Sequence, residues 1–318
     1  MGTIRALEDQ MTIGIPQAFL YHRYHVLWET FFETLGITVV KSGVTDRRTL
    51  AQGTTLAIDE ACLSSKVYLG HVDALIDRCD AVFVPRIANL GYRNILCTKF
   101  MALYDIVANT FRDRDIKLLE INIDVRHNKH ELPAFLELGK QLGARRTRAL
   151  QAYMLAKQAE QIAEAEAIRT QNQLLERDGT RILIVGHSYN VNDAMIGGPV
   201  LDYLRSQRVI PILADVVDRR RALEASTALT DTLPWIYNRE LVGAVQLYRE
   251  QVDGMILLST FPCGPDSLVN EILIRRVKGM PTLNLLLDGQ EGSAGVETRL
   301  ESFLDILQFR KEAWNVQA

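Results

Sequence analysis

The sequence predicts an α/β protein built from two open domains of about four parallel strands each. Three observations lead to this prediction. Short apolar runs alternate with helical stretches along the chain, and the whole alternation occurs twice. Several of the apolar runs are continuous, which is typical of parallel strands that are buried on both faces. The length of 318 residues also favours two domains over one.

The first half contains four predicted strands, at residues 12–16, 37–40, 80–87 and 116–123. Between the first two strands, apolar residues recur at helical spacing from Leu20 to Leu35, and Gly36 ends this helix. Further helices are predicted at about 47–57, 63–77 and 98–111. We therefore assign residues 1–130 to a first α/β domain.

A helical connector is predicted at residues 131–179. From Ala144 to Asp178 the sequence contains neither proline nor glycine and is rich in Ala, Gln and Glu, which predicts one long helix that ends at Gly179. Residues 180–318 then repeat the first scheme as a second α/β domain. Its predicted strands are 181–187, 209–213, 253–260 and 282–288, and its predicted helices are about 199–206, 235–251, 265–278 and 296–310.

Composition argues against several functional classes. The net charge is −3, with 36 basic and 39 acidic residues, so the balance does not suggest the basic face of a nucleic-acid-binding protein. No apolar run approaches the roughly 20 residues that a membrane span requires. The first residues lack the apolar core of a secretory signal. We expect a cytoplasmic protein with no nucleic-acid or membrane partner.

Three of the four cysteines precede predicted helices. They are Cys62, Cys97 and Cys263, and the last two follow strand ends. Structural disulfides are not expected in a large cytosolic chain, and the thiols form no C-x-x-C pair. Helix N-termini lower the pKa of a thiol, and sites in open α/β sheets form beyond the carboxyl ends of the strands. These three thiols are therefore candidates for one shared metal site in the cleft between the domains.

The residues alone leave alternatives open. Three thiols from three helix ends suit an iron–sulfur cluster, but three cysteines and an open position also suit catalytic zinc. Free cysteines can equally be small packing residues in a metal-free binding protein of the same shape. Cys79 lies between a helix end and a strand start and fits the packing role best.

Five segments resemble the 2-hydroxyacyl-CoA dehydratase activase-related proteins. These belong to the superfamily of 2-hydroxyglutaryl-CoA dehydratase and benzoyl-CoA reductase subunits. The resemblance runs from about residue 12 to residue 308. The segments are IGIPQAFLYHRYHVLWETFFETLGITVV, ACLSSKVYLGH, LCTKFMALYDIV, STFPCGPDSLVNEIL and GSAGVETRLESFLDIL.

The resemblance implies two Rossmann-like domains with an iron–sulfur cluster in the cleft between them. By position, Cys62, Cys97 and Cys263 match the family cysteines that hold a [4Fe–4S] cluster, and some relatives carry a double-cubane cluster instead. The resemblance also implies partners: an ATP-dependent activase as electron donor, a homodimer or a homologous second subunit, and a CoA thioester as substrate. No phosphate-binding glycine loop occurs in this chain, so we do not expect it to hydrolyse ATP itself.

The chain departs from the family pattern at three places. Ser64 and Thr98 stand where prolines are expected after the first and second cysteines, and Gln290 lies near the position of an expected histidine. Ser and Thr remain good residues for the start of a helix. The departures leave the three thiols intact but bring catalytic competence into question.

Three further residues are predicted to contact the cofactor. Lys66 follows Cys62 by four residues on the same predicted helix, and Arg86 lies at a strand end facing the same crevice. His187 belongs to GHSYN, which resembles a family segment and follows a strand. Ordinary surface or ion-pair roles compete with each of these assignments, and the role of His71 stays open.

The combined prediction is an iron–sulfur redox protein. It accepts low-potential electrons from an activase and passes them to a substrate, with an acyl-CoA thioester as the favoured class. The alternative is a non-catalytic iron–sulfur scaffold or partner subunit of a larger dehydratase or reductase complex.

Overall fold

Four parallel strands form a sheet in the first half of the chain. The computed structural model describes residues 11–289 and 293–317. The strands of this half are β1 (Thr12–Ile15), β2 (Thr38–Lys41), β3 (Ala81–Phe83), β4 (Arg86–Asn89), β5 (Leu118–Leu119) and β6 (Asn122–Asp124). The strand order of the main sheet is β2-β1-β3-β5, which confirms the first predicted parallel sheet. The short strands β4 and β6 pair in parallel and continue from β3 and β5.

The second half contains another four-stranded parallel sheet. Its strands are β7 (Arg181–Val185), β8 (Ile210–Leu213), β9 (Gly254–Thr260) and β10 (Thr282–Leu287). Their order is β10-β9-β7-β8, and every pairing is parallel. Strand β9 is buried at all seven positions, as its continuous apolar sequence predicts.

Five helices accompany the first sheet. Their bounds are α1 (Tyr21–Leu35), α2 (Arg47–Leu56), α3 (Leu63–Asp73), α4 (Thr98–Met101) and α5 (Leu103–Thr110). Helices α2 and α3 cross at Gly53 and Gly70, where an added Cβ would lie 1.8 Å and 2.0 Å from backbone oxygens of the opposite helix. Only glycine permits this approach, so the backbones of α2 and α3 are in direct contact here.

Two helices, α6 (Glu131–Gln141) and α7 (Arg146–Leu175), join the halves. Gly143, at φ 76°, lies in the turn between them. Helix α7 is the predicted long helix, and its buried alanines Ala149, Ala152 and Ala156 lie on the side that faces the core.

Six helices surround the second sheet. Their bounds are α8 (Ser188–Val191), α9 (Gly198–Ser206), α10 (Arg219–Ser226), α11 (Ile236–Tyr248), α12 (Gly264–Arg276) and α13 (Ser293–Gln317). Helices α8 and α10 were not predicted. The first is a single turn, and the second has a highly charged sequence with little apolar periodicity. Among residues 11–289 and 293–317, no helix has both the length and the apolar character needed to cross a bilayer.

The two halves share one apolar core. It includes Phe19 and Tyr68 from the first half and Val191, Tyr237 and Leu258 from the second. In each sheet the strand order reverses beside the first strand, β1 or β7, and ligands of open α/β sheets bind at such points. The turns after β1, β7 and β9 meet where the halves join, because Phe19, His187 and Cys263 line one cavity.

A buried ion pair also joins the halves. Arg23 of α1 donates to both carboxylate oxygens of Glu240 of α11, at 2.7 and 3.0 Å. The guanidinium lies 4.1 Å from the ring centroid of Tyr237, whose hydroxyl is 2.8 Å from that of Tyr24. Burial alone would lower the pKa of Arg23, but Glu240 outweighs it and the pKa is raised.

His71 belongs to a second polar contact between the halves. Its ring nitrogens are 2.7 Å from Ser42 Oγ and 2.8 Å from Thr45 Oγ1. The Thr45 hydroxyl donates to Asp193 of the second half at 2.5 Å. His71 is fully buried, and this burial lowers its pKa from 6.5 to about 4. The residue whose role stayed open in the sequence is therefore a neutral, buried histidine that orders this contact.

We expect His71 to make the fold acid-sensitive. Between pH 6.5 and pH 4 the unfolded chain binds a proton at this position and the folded chain does not, so acidification favours unfolding. This difference in pKa corresponds to a loss of about 3 kcal/mol in the free energy of unfolding, and the loss is complete below about pH 4. Urea unfolding at a series of pH values measures it. A His71→Asn variant should show a shallower loss over this window, and an unchanged pH dependence in that variant would contradict the assignment.

Candidate functional site

Three cysteines from distant parts of the chain line one cavity between the two halves. They are Cys62, Cys97 and Cys263. These residues occupy the N-cap positions of α3, α4 and α12, respectively. The cavity has a volume of about 30 Å³. This is room for about two water molecules. The structure thus brings together all three thiols that were predicted to share a site.

Local backbone geometry turns each thiol toward hydrogen-bond donors. Cys62 Sγ lies 3.1 Å from Ser65 Oγ. The backbone N–H of Lys99 lowers the pKa of Cys97, and the backbone N–H of Asp266 lowers the pKa of Cys263. Such N–H groups at a helix start have no partner within the helix. They would stabilise a thiolate at this position.

Burial nevertheless raises the pKa of two of the thiols. For Cys97 the next contribution comes from the backbone N–H of Lys99, which lowers the pKa, and then from Cys62, which raises it again. For Cys263 burial is reinforced by the charge of Asp266, and the pKa is raised well above its ordinary value. The expectation that helix N-termini lower these pKa values is therefore wrong for Cys97 and Cys263, because desolvation outweighs the N–H groups. A cationic centre between the sulfurs would reverse this balance.

The thiols do not form a compact site for a single ion. Among the described residues, no three His, Cys, Asp or Glu side chains are arranged so that they could hold a metal ion. Zinc–sulfur bonds of about 2.3 Å require tetrahedral ligand atoms within about 4 Å of one another. The described residues therefore show no preformed site for a single zinc ion.

Asp266 anchors a polar network beside Cys263. Its Oδ1 accepts hydrogen bonds from His187 Nε2 and Asn238 Nδ2, both at 2.9 Å. Burial alone would raise the pKa of Asp266, but His187, Asn238 and Cys263 outweigh it and the pKa is lowered. His187 also stacks on Tyr189, with centroids 5.0 Å apart and planes inclined by 14°. Asp266 is therefore a buried, ionised carboxylate, and its first-turn position after Cys263 was the only signal for it in the sequence.

Aromatic rings form the apolar wall of the cavity. Phe19 contacts Tyr68, Phe100 and Tyr189, with centroid separations of 5.3, 5.0 and 5.5 Å. Phe19 has a φ of 50°, a left-handed conformation that is uncommon for a bulky residue. These ring contacts hold Phe19 in place in the lining of the cavity.

Ser64 connects the helix that follows Cys62 to the second half. Its hydroxyl donates to Asn190 Oδ1 at 2.7 Å and lies 3.1 Å from Thr260 Oγ1. The adjacent backbone N–H of Leu63 donates to Phe261 O at 3.0 Å. Ser64 is buried, so a proline at this position could not reproduce these bonds. Where the family pattern has a proline, Ser64 thus provides a hydrogen bond between the two halves.

We expect Ser64→Ala to lower the free energy of unfolding by about 1–3 kcal/mol, because Asn190 Oδ1 is left buried without its donor. Urea unfolding of the two proteins measures the difference. Ser302, whose hydroxyl bonds only to a carbonyl of its own exposed helix, is the matched control. Equal stability losses in Ser64→Ala and Ser302→Ala would contradict the proposed connection.

Of the three predicted cofactor contacts, only His187 lines the cavity. Arg86 lies elsewhere, where it pairs with Asp105 at 2.6 Å and Glu120 at 3.2 Å. Lys66 is also absent from the lining, whereas Lys99, two residues after Cys97, belongs to it. Lys99 is two residues from Cys97 in the chain, whereas Lys66 is four residues from Cys62. Gln290 lies outside the described residues.

A larger apolar cleft adjoins the start of α3. It has a volume of about 780 Å³, and its walls include Leu50 and Leu63 from the first half and Ile196, Leu287 and Leu300 from the second. Leu63 directly follows Cys62, so the cleft and the thiol cavity lie on two sides of the same helix start.

The family model described as "CoA enzyme activase uncharacterised domain (DUF2229)" matches residues 12–217 of this chain. The matched segment contains Cys62 and Cys97 but ends before Cys263. The match confirms the predicted link to CoA-enzyme activase systems. The finer assignment to a dehydratase subunit stays a prediction.

Solved structures give only distant likenesses. The SBP FpvC from P. aeruginosa, in complex with a Ni²⁺ ion, is 13% identical, with 96% of this chain and 98% of that chain covered and a TM-score of 0.29. ZnuA is 11% identical, with 94% and 99% covered and a TM-score of 0.24. Scores this low carry no argument about function. No curated protein matches this chain.

Proposed function

The chain belongs to the family of the CoA enzyme activase uncharacterised domain, and from this premise we propose that it is an iron–sulfur redox protein. Cys62, Cys97 and Cys263 would hold one cluster between the two halves. The protein would accept electrons from an ATP-dependent activase, as a homodimer or with a homologous second subunit. The observation that supports this most is the convergence of three helix-capping thiols on one cavity.

The donor set fits a cluster. Three thiols would supply the protein ligands of an iron–sulfur centre, and the backbone N–H groups of Lys99 and Asp266 lower the pKa of Cys97 and Cys263. Seating a cluster core requires the side chains around the sulfurs to move outward, because the cavity has room for about two waters. When bound, the cluster supplies one-electron transfer at a low potential, and three protein ligands leave one iron open to a substrate.

The chain's own residues would tune and shield that chemistry. Lys99 brings a positive charge to the cavity, whereas the ionised Asp266 brings a negative charge beside Cys263. His187 and Asn238 keep the Asp266 carboxylate oriented and deprotonated. Phe19, Phe100 and Tyr189 keep water from the apolar side.

The proposed substrate class is an acyl-CoA thioester. The adjoining cleft of about 780 Å³ supports this proposal, because its leucine and isoleucine walls suit an acyl group. It lies next to Cys62 through Leu63, so a thioester in the cleft would have a short path to the thiol cavity.

We expect Asp266→Asn to raise the reduction potential by tens of mV, since a buried negative charge near the centre disfavours the added electron. Asparagine can still accept the bonds from His187 and Asn238 through its side-chain oxygen. Potentiometric titration of the reconstituted proteins measures the shift. Asp202→Asn, on the exposed face of α9, is the control. A potential unchanged or lowered in Asp266→Asn would contradict the assigned charge.

Reduction of the reconstituted protein tests the redox function. Under anaerobic conditions, titanium(III) citrate should bleach the visible absorbance of the cluster, and reoxidation should restore it. Stable redox cycling supports electron transfer. Loss of the cluster to an apo-acceptor protein without stable cycling would favour the non-catalytic scaffold instead.

A further inference from the structure

A second cavity lies on the other side of α8 from the thiols. It has a volume of about 190 Å³, and its walls come from α1, α7, α8 and the loop after β8. One water molecule needs only about 15 Å³ by this measure, so the space accommodates a small organic molecule. His187 faces the thiol cavity, whereas the next residue, Ser188, faces this rear cavity.

Five buried side-chain atoms in the wall have no hydrogen-bond partner. They are Asp215 Oδ1, Glu160 Oε1, Glu164 Oε1, His22 Nε2 and Arg23 Nε. Glu160 is only 4% exposed, so bulk water does not hydrogen-bond to its carboxylate. Buried polar atoms are nearly always hydrogen-bonded in folded proteins, and each exception calls for an explanation.

Four of these five atoms act as acceptors, and Arg23 Nε is the one donor among them. The three carboxylate oxygens carry no proton when ionised. The His22 ring donates to the backbone oxygen of Gln17, and this bond uses the other ring nitrogen, because Nε2 has no partner. Burial, the largest influence, lowers the pKa of His22, so the ring is neutral and Nε2 is a bare acceptor. A ligand for this cavity must therefore supply donors.

One carboxylate in the wall of the rear cavity has no ion-pair partner among the described residues. Glu160 pairs with Lys157 at 2.5 Å, Glu164 pairs with Arg219, and Arg23 is taken by Glu240. Among the described residues that line the rear cavity, Asp215 is the acidic side chain for which no ion pair is found. Burial raises the pKa of Asp215 to about 6, and the residue is still mostly ionised at pH 7.5. Arg23 and His187 lower the pKa of Asp215, but burial is the larger influence. A buried anion without an ion-pair partner favours a cation beside it.

The cation that fits is organic rather than a metal ion. No three His, Cys, Asp or Glu side chains of the described residues are arranged to hold a metal. Acceptors spread around a cavity instead suit a molecule with several N–H donors. We propose that the rear cavity binds a small organic cation, an amine or guanidinium compound, whose N–H groups donate to Asp215, Glu160 and His22.

Calorimetric titration with four matched probes tests the proposal. Putrescine and agmatine are the cations, while 1,4-butanediol and succinate present similar chains without positive charge. At pH 7.5 we expect at least one cationic probe to bind with a dissociation constant below about 1 mM and the other two probes to bind at least about tenfold more weakly.

Asp215→Asn should weaken the binding of the cationic probe at least about tenfold, whereas Asp202→Asn should not. Removal of an unpaired buried charge does not threaten the fold, and thermal unfolding checks this directly. The same probe should raise the unfolding temperature of the wild type but not of Asp215→Asn. The proposal is overturned by failure of both cations to bind at about 10 mM, by equal binding in Asp215→Asn, or by equal binding of succinate.

Discussion

Cys263→Ala is expected to lose nearly all the iron that the wild-type protein binds after anaerobic purification. The wild type should hold about four irons and four sulfides per chain, or about twice that for a double-cubane cluster. Cys263 caps α12, and its sulfur faces the same cavity as Cys62 and Cys97. Removing one of three protein ligands leaves two, which is too few to retain a site-differentiated cluster. Iron and sulfide analysis of the variant measures the loss.

Cys79→Ala is the matched control. Cys79 does not line the thiol cavity; its Sγ donates to Leu75 O at 3.4 Å, and it packs against Gly14. Its variant should retain the iron, while Cys62→Ala and Cys97→Ala should behave like Cys263→Ala. Equal iron content in the Cys79 and Cys263 variants would show that Cys263 is not a ligand of the cluster.

Glu240→Gln is expected to lower the free energy of unfolding by about 3–5 kcal/mol. The variant leaves the Arg23 guanidinium buried between the halves without its carboxylate. Urea unfolding measures the change, and the iron content should fall with it if the halves separate, because each half contributes thiols. The side chains are 12% and 6% exposed, so solvent does not replace the lost charge.

The double variant Arg23→Met/Glu240→Leu distinguishes the loss of the ion pair from the cost of burying Arg23 without a partner. Two apolar side chains leave no buried charge, so this protein should recover most of the stability that Glu240→Gln loses. A loss below about 1 kcal/mol in Glu240→Gln would show that Arg23 gains another partner or reaches water.

The sequence predicted the fold through its periodicity. All eight predicted strands occur, because buried parallel strands such as Gly254–Thr260 need continuous apolar runs. Helix α8 was missed because one turn has no period, and the strand order could not be predicted because no local signal encodes which strands pair. The shared core between the halves was likewise invisible, since Phe19 and Tyr237 are ordinary apolar residues until the chain folds.

The candidate site was predictable where chemistry and local structure coincide. Cysteines that directly precede helices were visible in the sequence, and the three thiols do line one cavity. Arg86 was placed at the site because it ends a strand, but Asp105 and Glu120 hold its guanidinium elsewhere. The role of Asp266 depends on Asn238, which is 28 residues away, and that contact exists only in three dimensions.

The central claim is that the three helix-capping thiols hold an iron–sulfur cluster. Its most direct test is the content of iron, acid-labile sulfide and zinc in wild-type protein purified without oxygen and then reconstituted with iron and sulfide. The account predicts about four irons and four sulfides per chain, or about double, with no zinc. Folded protein that takes up no iron after reconstitution, or that binds zinc in its place, would contradict it.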